Sequence, residues 1–167
     1  MKMIVAVNNN WGIGKDNDLL YHISQDMKFF REKTKGNIII VGRKTLESFP
    51  DSKPLKFRTN VVLTRDKDYS QDDCIILHNL TDLFGYLKST KDEVYVCGGE
   101  EIYKLLEPYC DVAYVTKIND NKDATKFFPD LDKLSNWEIT SESDEYNEDN
   151  YSFKFVEYKN NNIKERV

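Results

Sequence analysis

The sequence has few of the residues that build common reaction centres. It contains three cysteines and two histidines in 167 residues. Cys74, Cys97 and Cys110 are an odd number without CxxC spacing, which is typical of reduced thiols in a cytosol. His22 and His78 are too few for a histidine-rich metal site, and no GxSxG motif is present. We therefore expect neither covalent nor metal-dependent catalysis.

Long apolar runs and an excess of positive charge are also missing. No stretch approaches the length needed to cross a membrane, and residues 1–14 lack the apolar core and cleavage site of a signal peptide. The chain carries 24 Lys and Arg against 29 Asp and Glu, a formal net charge of -5. This balance argues against nucleic acid as the main partner. We expect a cytoplasmic protein that binds neither membrane nor nucleic acid.

Short apolar runs alternate with amphipathic stretches over the first two thirds of the chain. Four runs lack a polar face, as strands inside a largely parallel sheet do: residues 4–7, 38–41, 61–63 and 94–97. Helices are predicted over residues 24–34, after Arg43, and over residues 81–88 and 99–106. Ser24 is the predicted N-cap of the first helix, and Gly36 follows its end.

The pattern changes after a strand predicted at residues 112–118. Residues 137–141 and 151–158 are predicted as two strands joined by an acidic loop at 142–150, and residues 160–167 as a frayed tail. The length suits one hydrophobic core. The sequence thus predicts a single α/β domain over residues 1–167. Its mostly parallel central sheet is flanked by helices and ends in an antiparallel C-terminal edge hairpin.

Two predicted strands run into glycine and then into a helix. Gly42 precedes Arg43, Lys44 and Thr45 in one turn, and the Gly98–Gly99 pair begins the other. Helix N-termini at the carboxyl edge of a sheet offer free N–H groups to anions, and glycine lets a phosphate approach the backbone. Two such turns are able to hold a dinucleotide's pyrophosphate. The alternative is that they are ordinary tight turns, and the GxGxxG fingerprint is absent.

Cations near these turns favour a phosphorylated dinucleotide. Arg43 and Lys44 begin one helix, and Arg65 follows the strand at residues 61–63, at the same predicted edge. Fixed cations suit a ribose 2′-phosphate, whereas an NAD site usually carries an acid there. The alternative is a solvated basic rim.

One carboxylate stands out by its position. At 100° per residue, Asp26 lies on the same helix face as Phe30, between Met27 and Phe29. An acid in the first turn of a helix is favoured by the helix dipole alone, so a purely structural role is the simpler interpretation. If Asp26 is buried, desolvation raises its pKa and enables it to manage a proton for a bound heterocycle.

With these residues assembled, the sequence resembles the dihydrofolate reductases along nearly its whole length. The resemblance lies in IVAV, WGIGKDNDLL, SQDMKFFREKT, VGRKTLES, NVVLTR, VCGGEEIY, YVTKI and FFPD, which occur in the family's order and near its spacing. It implies an oxidoreductase that reduces 7,8-dihydrofolate to 5,6,7,8-tetrahydrofolate with NADPH, for one-carbon metabolism. It also implies a monomer that binds antifolate inhibitors.

The resemblance implies roles for residues on the substrate side. Asp26 would bind the pterin's amino group and ring nitrogen with help from the Thr116 hydroxyl, and Tyr21 would replace a tryptophan that orders a water. Arg58 would clamp the substrate's glutamate α-carboxylate, a forked task suited to guanidinium. The remaining pocket residues would be Ile4, Met27, Phe30, Phe49, Leu55 and Cys97.

The resemblance implies a second set of residues around NADPH. Ala6 and Ile13 would hold the nicotinamide carboxamide, and Tyr103 would lie near the nicotinamide. Residues 14–20, with Gly14 and Leu19, resemble a mobile loop that closes over the cofactor. The rest of the cofactor set would be Gly42, Arg43, Lys44, Thr45, Leu63, Thr64, Arg65, Gly98, Gly99, Glu100, Glu101 and Ile102. The family's Gly–Gly peptide is cis, which we expect here also.

Four positions depart from the family pattern. Leu19-Leu20-Tyr21 stands where the family has Leu-Pro-Trp. Ser24 stands where the family has proline, so that entry into the helix depends on capping. Cys97 occupies a pocket position that is more often aliphatic or aromatic. The sequence DATKFFP leaves the turn near Lys126 undetermined.

Two other functions are compatible with the same residues. One is reduction of a related nitrogen heterocycle, as in the ribosylaminopyrimidine reductases that share this fold. Asp26 beside Phe30, together with Arg58, favours folate as the substrate instead. The other is a nucleotide-binding module without chemistry. Only the departure at Leu20 and Tyr21 supports it, and Asp26, Thr116 and Arg58 argue against it.

Overall fold

The protein is described here by a computed structural model that covers residues 1–167. Its strands are β1 (Lys2–Val7), β2 (Gly12–Lys15), β3 (Asp18–Leu19), β4 (Ile38–Gly42), β5 (Thr59–Leu63), β6 (Cys74–Leu77), β7 (Val94–Val96), β8 (Val112–Ile118), β9 (Lys126–Phe127), β10 (Trp137–Glu142), β11 (Tyr146–Glu148) and β12 (Tyr151–Asn160). Its α-helices are α1 (Ser24–Thr34), α2 (Arg43–Glu47), α3 (Leu80–Leu87) and α4 (Glu100–Leu106). Short 3-10 turns lie at Pro50–Ser52, Glu107–Tyr109 and Leu131–Lys133.

One large sheet organises the molecule. Its strand order is β10-β12-β8-β1-β7-β4-β5-β6, with β11 paired to β12. The six strands from β8 to β6 are parallel, and β12 joins β8 antiparallel. The predicted α/β fold with an antiparallel C-terminal edge is therefore confirmed.

The central strands are apolar on both faces because both faces are covered. Ile38, Ile39, Ile40 and Val41 of β4 are at most 1% exposed. Such complete burial fits a parallel strand between layers rather than an edge strand. The parallel arrangement also sets the carboxyl ends of β4, β5 and β7 side by side, where the two glycine turns begin.

A second, small sheet joins the segment before α1 to the segment after β8. Its order is β3-β2-β9, with Gly14 opposite Leu19 and the Thr125 N–H donating to the Gly14 carbonyl at 2.9 Å. The segment expected to be a mobile loop is thus a short hairpin paired with β9. The turn left undetermined near Lys126 is this pairing strand, and it directs Phe128 into the core.

Several local predictions were wrong. Ser24 is not the N-cap of α1, because Ile23 holds that position in an extended conformation and Ser24 is the first helical residue. Asn160 does not belong to a frayed tail, because it ends β12, is 2% exposed and donates from its amide to the Cys110 carbonyl at 2.9 Å. The predicted loop at 142–150 contains β11, and β6 was not predicted.

None of the four α-helices combines the length and the apolar character needed to span a membrane.

Candidate active site

The two glycine turns lie against each other at the carboxyl edge of the sheet. β4 and β7 are parallel neighbours with Ile40 opposite Val96, so their following turns emerge together. The Gly42 N–H donates to the Gly98 carbonyl at 2.9 Å, and the Cys97 N–H donates to Ile40 at 2.9 Å. The turn at the start of α2 and the turn at the start of α4 therefore form one continuous edge.

The backbone at this edge needs glycine and leaves donors free. Gly98 has φ +123°, which disfavours any side chain, and a Cβ on Gly99 would come within 3.2 Å of the Thr45 hydroxyl. Both α2 and α4 begin without a side-chain cap. Their first N–H groups are the donors that an anion accepts from. The Gly98–Gly99 peptide is cis, as expected. A pyrophosphate group fits this glycine cradle.

The predicted cations lie where β4 and β5 end. Gly42 is opposite Leu63 in the sheet, so Arg43 follows one strand directly and Arg65 follows the other after Thr64. Arg43 is already paired, because its Nη1 donates to both carboxylate oxygens of Glu47 at 3.0 and 3.1 Å. Exposed pairs of this kind contribute little stability, so an incoming phosphate competes with Glu47 at small cost. Lys44 and Arg65 are exposed and form no ion pair.

Asp26 projects from the first turn of α1 toward β8. The Thr116 hydroxyl donates to its Oδ1 at 2.6 Å, and Thr116 is 1% exposed. Burial raises the pKa of the Asp26 carboxyl above its ordinary value, and the hydrogen bond from Thr116 lowers that pKa in part. The structural interpretation of Asp26 as a mere helix-start residue does not account for this partner. The site holds a desolvated acid with one fixed donor.

Apolar side chains of β1, β4 and β7 and of nearby loops form a cluster beside this acid's helix. Ile4 packs in a cluster with Ile39 and Tyr95, and the predicted pocket residues Phe30, Phe49, Leu55 and Cys97 pack against the same cluster. Met27 is 45% exposed and is the one predicted pocket residue on the outer rim. Burial raises the pKa of the Cys97 thiol, so this cysteine is a protonated, space-filling group rather than a nucleophile.

Arg58 is held in place by three of its five N–H donors. Its Nε donates to the Thr34 hydroxyl at 3.0 Å, its Nη1 to the Lys56 carbonyl at 2.7 Å and its Nη2 to the Arg31 carbonyl at 3.2 Å. One donor remains on each Nη. Two parallel donors on the two Nη atoms are what a carboxylate needs for bidentate binding. The geometry therefore suits the predicted role.

The predicted nicotinamide side is built around the second half of β1. The Tyr103 hydroxyl donates to the Ile4 carbonyl at 2.7 Å, and Ala6 lies opposite Thr116 in the sheet. Ile13 is buried in the main core. These contacts bring the end of β1 together with Asp26's partner. The predicted loop residue Leu19 is 63% exposed.

The first residues of α4 differ in their surroundings. Glu100 accepts from the Phe127 N–H at 3.3 Å and pairs with Lys126 at 3.8 Å, so it joins this helix to β9. Ile102 lies under Gly42, where a Cβ would meet its Cγ1 at 3.1 Å. Glu101 is exposed and makes no side-chain hydrogen bond or ion pair. Of these three residues, Glu101 is the one that the structure does not bring into the site.

Tyr21 has a partner that the sequence did not reveal. Its hydroxyl donates to Asp120 at 2.5 Å, beyond the end of β8. Burial, followed by this hydrogen bond, raises the pKa of Tyr21 to about 12. Its proton is therefore committed to Asp120, and any role with a water would use the oxygen as acceptor. Lys122 extends this contact, with its Nζ donating to the Leu20 carbonyl at 3.2 Å and to Tyr151 at 3.1 Å.

Comparisons with known proteins agree with the geometry. A sequence profile of the family described as Dihydrofolate reductase matches residues 1–160. The chain is 38% identical to a dihydrofolate reductase of Staphylococcus haemolyticus over 161 residues, 94% of this chain and 95% of the relative. It is 38% identical to that of Bacillus subtilis (strain 168) over 164 residues, covering 96% and 95%.

A solved structure matches as well. Dihydrofolate reductase from Enterococcus faecalis, complexed with NADP(H) and RAB-propyl, superposes with a TM-score of 0.88 at 31% identity. The match covers 96% of this chain and 95% of that one. A profile over nearly the whole chain, full-length relatives and the same fold point to one conclusion: this chain belongs to the dihydrofolate reductase family.

Proposed function

We propose that this protein reduces 7,8-dihydrofolate to 5,6,7,8-tetrahydrofolate with NADPH. The observation that carries the proposal is the half-buried Asp26 carboxylate, bonded to Thr116 at 2.6 Å beside an apolar pocket. A folate's pterin is flat and apolar on its faces and carries amino and ring nitrogens on one edge. It matches a pocket with apolar walls and a single acid.

The chain's own groups orient the substrate and control a proton. Asp26 accepts from the pterin's amino group and ring nitrogen, while Thr116 fixes the orientation of the carboxylate. Because burial raises the pKa of Asp26, the group is able to hold a proton closer to neutral pH than an exposed aspartate does. That proton supports protonation of the pterin's imine nitrogen. Arg58 binds the α-carboxylate at the other end of the substrate.

The cofactor half is assigned to the glycine edge. Gly42, Gly98 and Gly99 bring backbone N–H groups to the pyrophosphate, with the Thr45 hydroxyl beside them. Arg43, Lys44 and Arg65 bind the 2′-phosphate and select NADPH over NADH. When bound, NADPH supplies the hydride that reduces the pterin. The protein contributes binding, orientation and exclusion of water.

The finer assignments follow from the same proposal. The pocket that holds the pterin is also where antifolate inhibitors bind. The product serves one-carbon metabolism. We propose that the protein acts in the cytoplasm, where its three unpaired cysteines would stay reduced. We propose that it acts as a monomer, because every assigned group comes from one chain.

A direct assay tests the proposal. Purified protein is mixed with NADPH and dihydrofolate, and the loss of NADPH absorbance is followed with Asp26→Asn as a control. We expect the unmodified protein to oxidise NADPH rapidly, and only when dihydrofolate is present. Oxidation with a ribosylaminopyrimidine substrate alone would identify the related reductase. NADPH binding without turnover on either substrate would identify a binding module.

A further inference from the structure

The helix that carries Asp26 has no N-terminal cap of its own. Ile23 precedes it in an extended conformation (φ -100°, ψ 121°) and makes no side-chain capping bond. The first N–H groups of a helix need acceptors from elsewhere. In α1 the first two N–H groups find their acceptors on one side chain far along the chain. Glu148 accepts from the Ser24 N–H, 124 residues away, at 2.6 Å and from the Gln25 N–H at 3.1 Å.

Glu148 is fixed by its own surroundings. It ends β11 and is paired with Tyr151 across a two-residue turn, Asp149–Asn150, in which both residues have positive φ (50° and 68°). This is the conformation of tight hairpins, and Asp and Asn tolerate it well. The Tyr146 ring packs on Phe155 with centroids 5.5 Å apart, which holds β11 against β12.

Two strands that pair with β12, namely β8 and β11, therefore hold three consecutive residues of α1. β12 pairs with β8 so that Phe155 lies opposite Thr116, the hydrogen-bond partner of Asp26. Glu148, on β11, which also pairs with β12, accepts from the Ser24 and Gln25 N–H groups. The first turn of the helix is thus attached at its backbone by β11 and at its acid by β8.

We propose that Glu148 is a positioning residue for Asp26, capping α1 from the acidic hairpin so that the carboxylate meets both Thr116 and the pterin. The proposal rests on the proposed function of Asp26. A carboxylate at a helix N-terminus is also favoured by the helix dipole. The backbone hydrogen bond from Ser24 lowers the pKa of Glu148, so the cap stays ionised at working pH.

Serine in place of the family's proline at position 24 explains why this cap is needed. A proline at the first helical position has no N–H to satisfy and has φ preset for the helix. Ser24 stands where the family has proline, so it presents an N–H, and Glu148 supplies the acceptor. The extended conformation of Ile23 is also the one that a residue before proline adopts. Ser24→Pro is therefore compatible with the backbone and removes one of the two capped donors.

The test compares Glu148→Ala and Glu148→Gln with Glu145→Ala. Glu145 lies on the same acidic segment, is exposed, and makes no hydrogen bond to α1, so its loss removes equal charge without removing the cap. Single-turnover hydride transfer is measured per active site, with KM for dihydrofolate and Kd for NADPH. We expect Glu148→Ala to slow hydride transfer by roughly threefold to tenfold and to raise KM, with Kd for NADPH unchanged. Glu148→Gln keeps one acceptor oxygen, so its rate of hydride transfer should lie between those of the unmodified protein and Glu148→Ala.

Rescue makes the test specific. Adding Ser24→Pro to Glu148→Ala should restore at least half of the lost rate, because the proline starts the helix without the cap. A Glu148→Ala protein that only melts earlier, with unchanged rate and KM per active site, would overturn the positioning role. So would an equal loss in Glu145→Ala. If Asp26→Asn itself retains the normal rate, the failure lies with the proposed function instead.

Discussion

The two halves of the site are assembled differently. The cofactor half consists of two copies of one local pattern, strand then glycine then helix, and parallel neighbouring strands bring Gly42 and Gly98 together. The acid half depends on contacts between distant parts of the chain. Asp26 meets Thr116 across 90 residues, Tyr21 meets Asp120 across 99, and Ser24 meets Glu148 across 124.

This difference has consequences for mutation. A change in the cofactor half should alter binding of one ligand group and leave the acid half intact, because the two turns are fixed by backbone contacts to each other. A change in the acid half should affect the rate, because the acid's position is the product of several separate attachments.

The largest expected effect is that of Asp26→Asn. The shape and the bond from Thr116 are kept but the ionisable group is lost, so hydride transfer at neutral pH should fall roughly 10²- to 10⁴-fold. Activity should partly recover as pH falls, since solvent then supplies the proton. Single-turnover rates measure this without interference from product release. Glu32→Gln, on the exposed face of the same helix, is the control. Normal rates in Asp26→Asn would remove the residue from the site.

The next effect concerns cofactor choice. Replacing Arg43 and Arg65 together with alanine should weaken NADPH binding about 10- to 100-fold, because two charge-assisted contacts to the 2′-phosphate are lost. NADH binding should change less than about threefold. Titration of both cofactors measures the difference, with Lys67→Ala as a nearby control. Equal losses for the two cofactors would show that these cations lie outside the 2′-phosphate site.

A smaller effect is expected at the substrate's tail. Arg58→Lys should raise KM for dihydrofolate about tenfold, since lysine cannot form the forked pair. A pterin without the glutamate should be unaffected. Steady-state kinetics with both substrates separate the two outcomes, and Arg31→Lys is the matched control. If KM for dihydrofolate does not change, Arg58 does not contact the tail.

The smallest effect is expected at Tyr21. Tyr21→Trp should be tolerated without loss of activity, because the indole N–H keeps a donor in the family's ordinary side chain. Tyr21→Phe removes the hydrogen bond that Asp120 accepts from the Tyr21 hydroxyl, so that Asp120 keeps only the Lys122 N–H. It should slow the reaction by about two- to fivefold. Since the pKa of Tyr21 is about 12, its contribution should not vary with pH below about 10. A collapse of activity in Tyr21→Trp would mean that the site has been rebuilt around tyrosine.

The contrast also explains what the sequence could and could not predict. Apolar runs identified β1, β4, β5 and β7, and glycine identified the two turns, because those signals are local. The need for a cap on α1 was also predictable from Ser24. The residue that supplies this cap was not predictable, because Glu148 lies in a polar segment with no periodic signal. The contact of Asn160 with Cys110 was missed for the same reason, because the two residues are 50 positions apart. The short β6 is different: its apolar run CIIL is a local signal of the same kind as that of β5, so this strand was predictable.

The central claim is that Asp26, desolvated and bonded to Thr116, controls the proton in the reaction. Thr116→Val tests it most directly. The hydroxyl lowers the pKa of Asp26, so its removal should raise that pKa further. Because hydride transfer is expected to fall as pH rises through this pKa, Thr116→Val should keep its maximal rate to higher pH than the unmodified protein. The pH profile of single-turnover hydride transfer measures this, with Thr140→Val on β10 as control. A displacement of the profile to higher pH is predicted, and an unchanged profile would contradict the account.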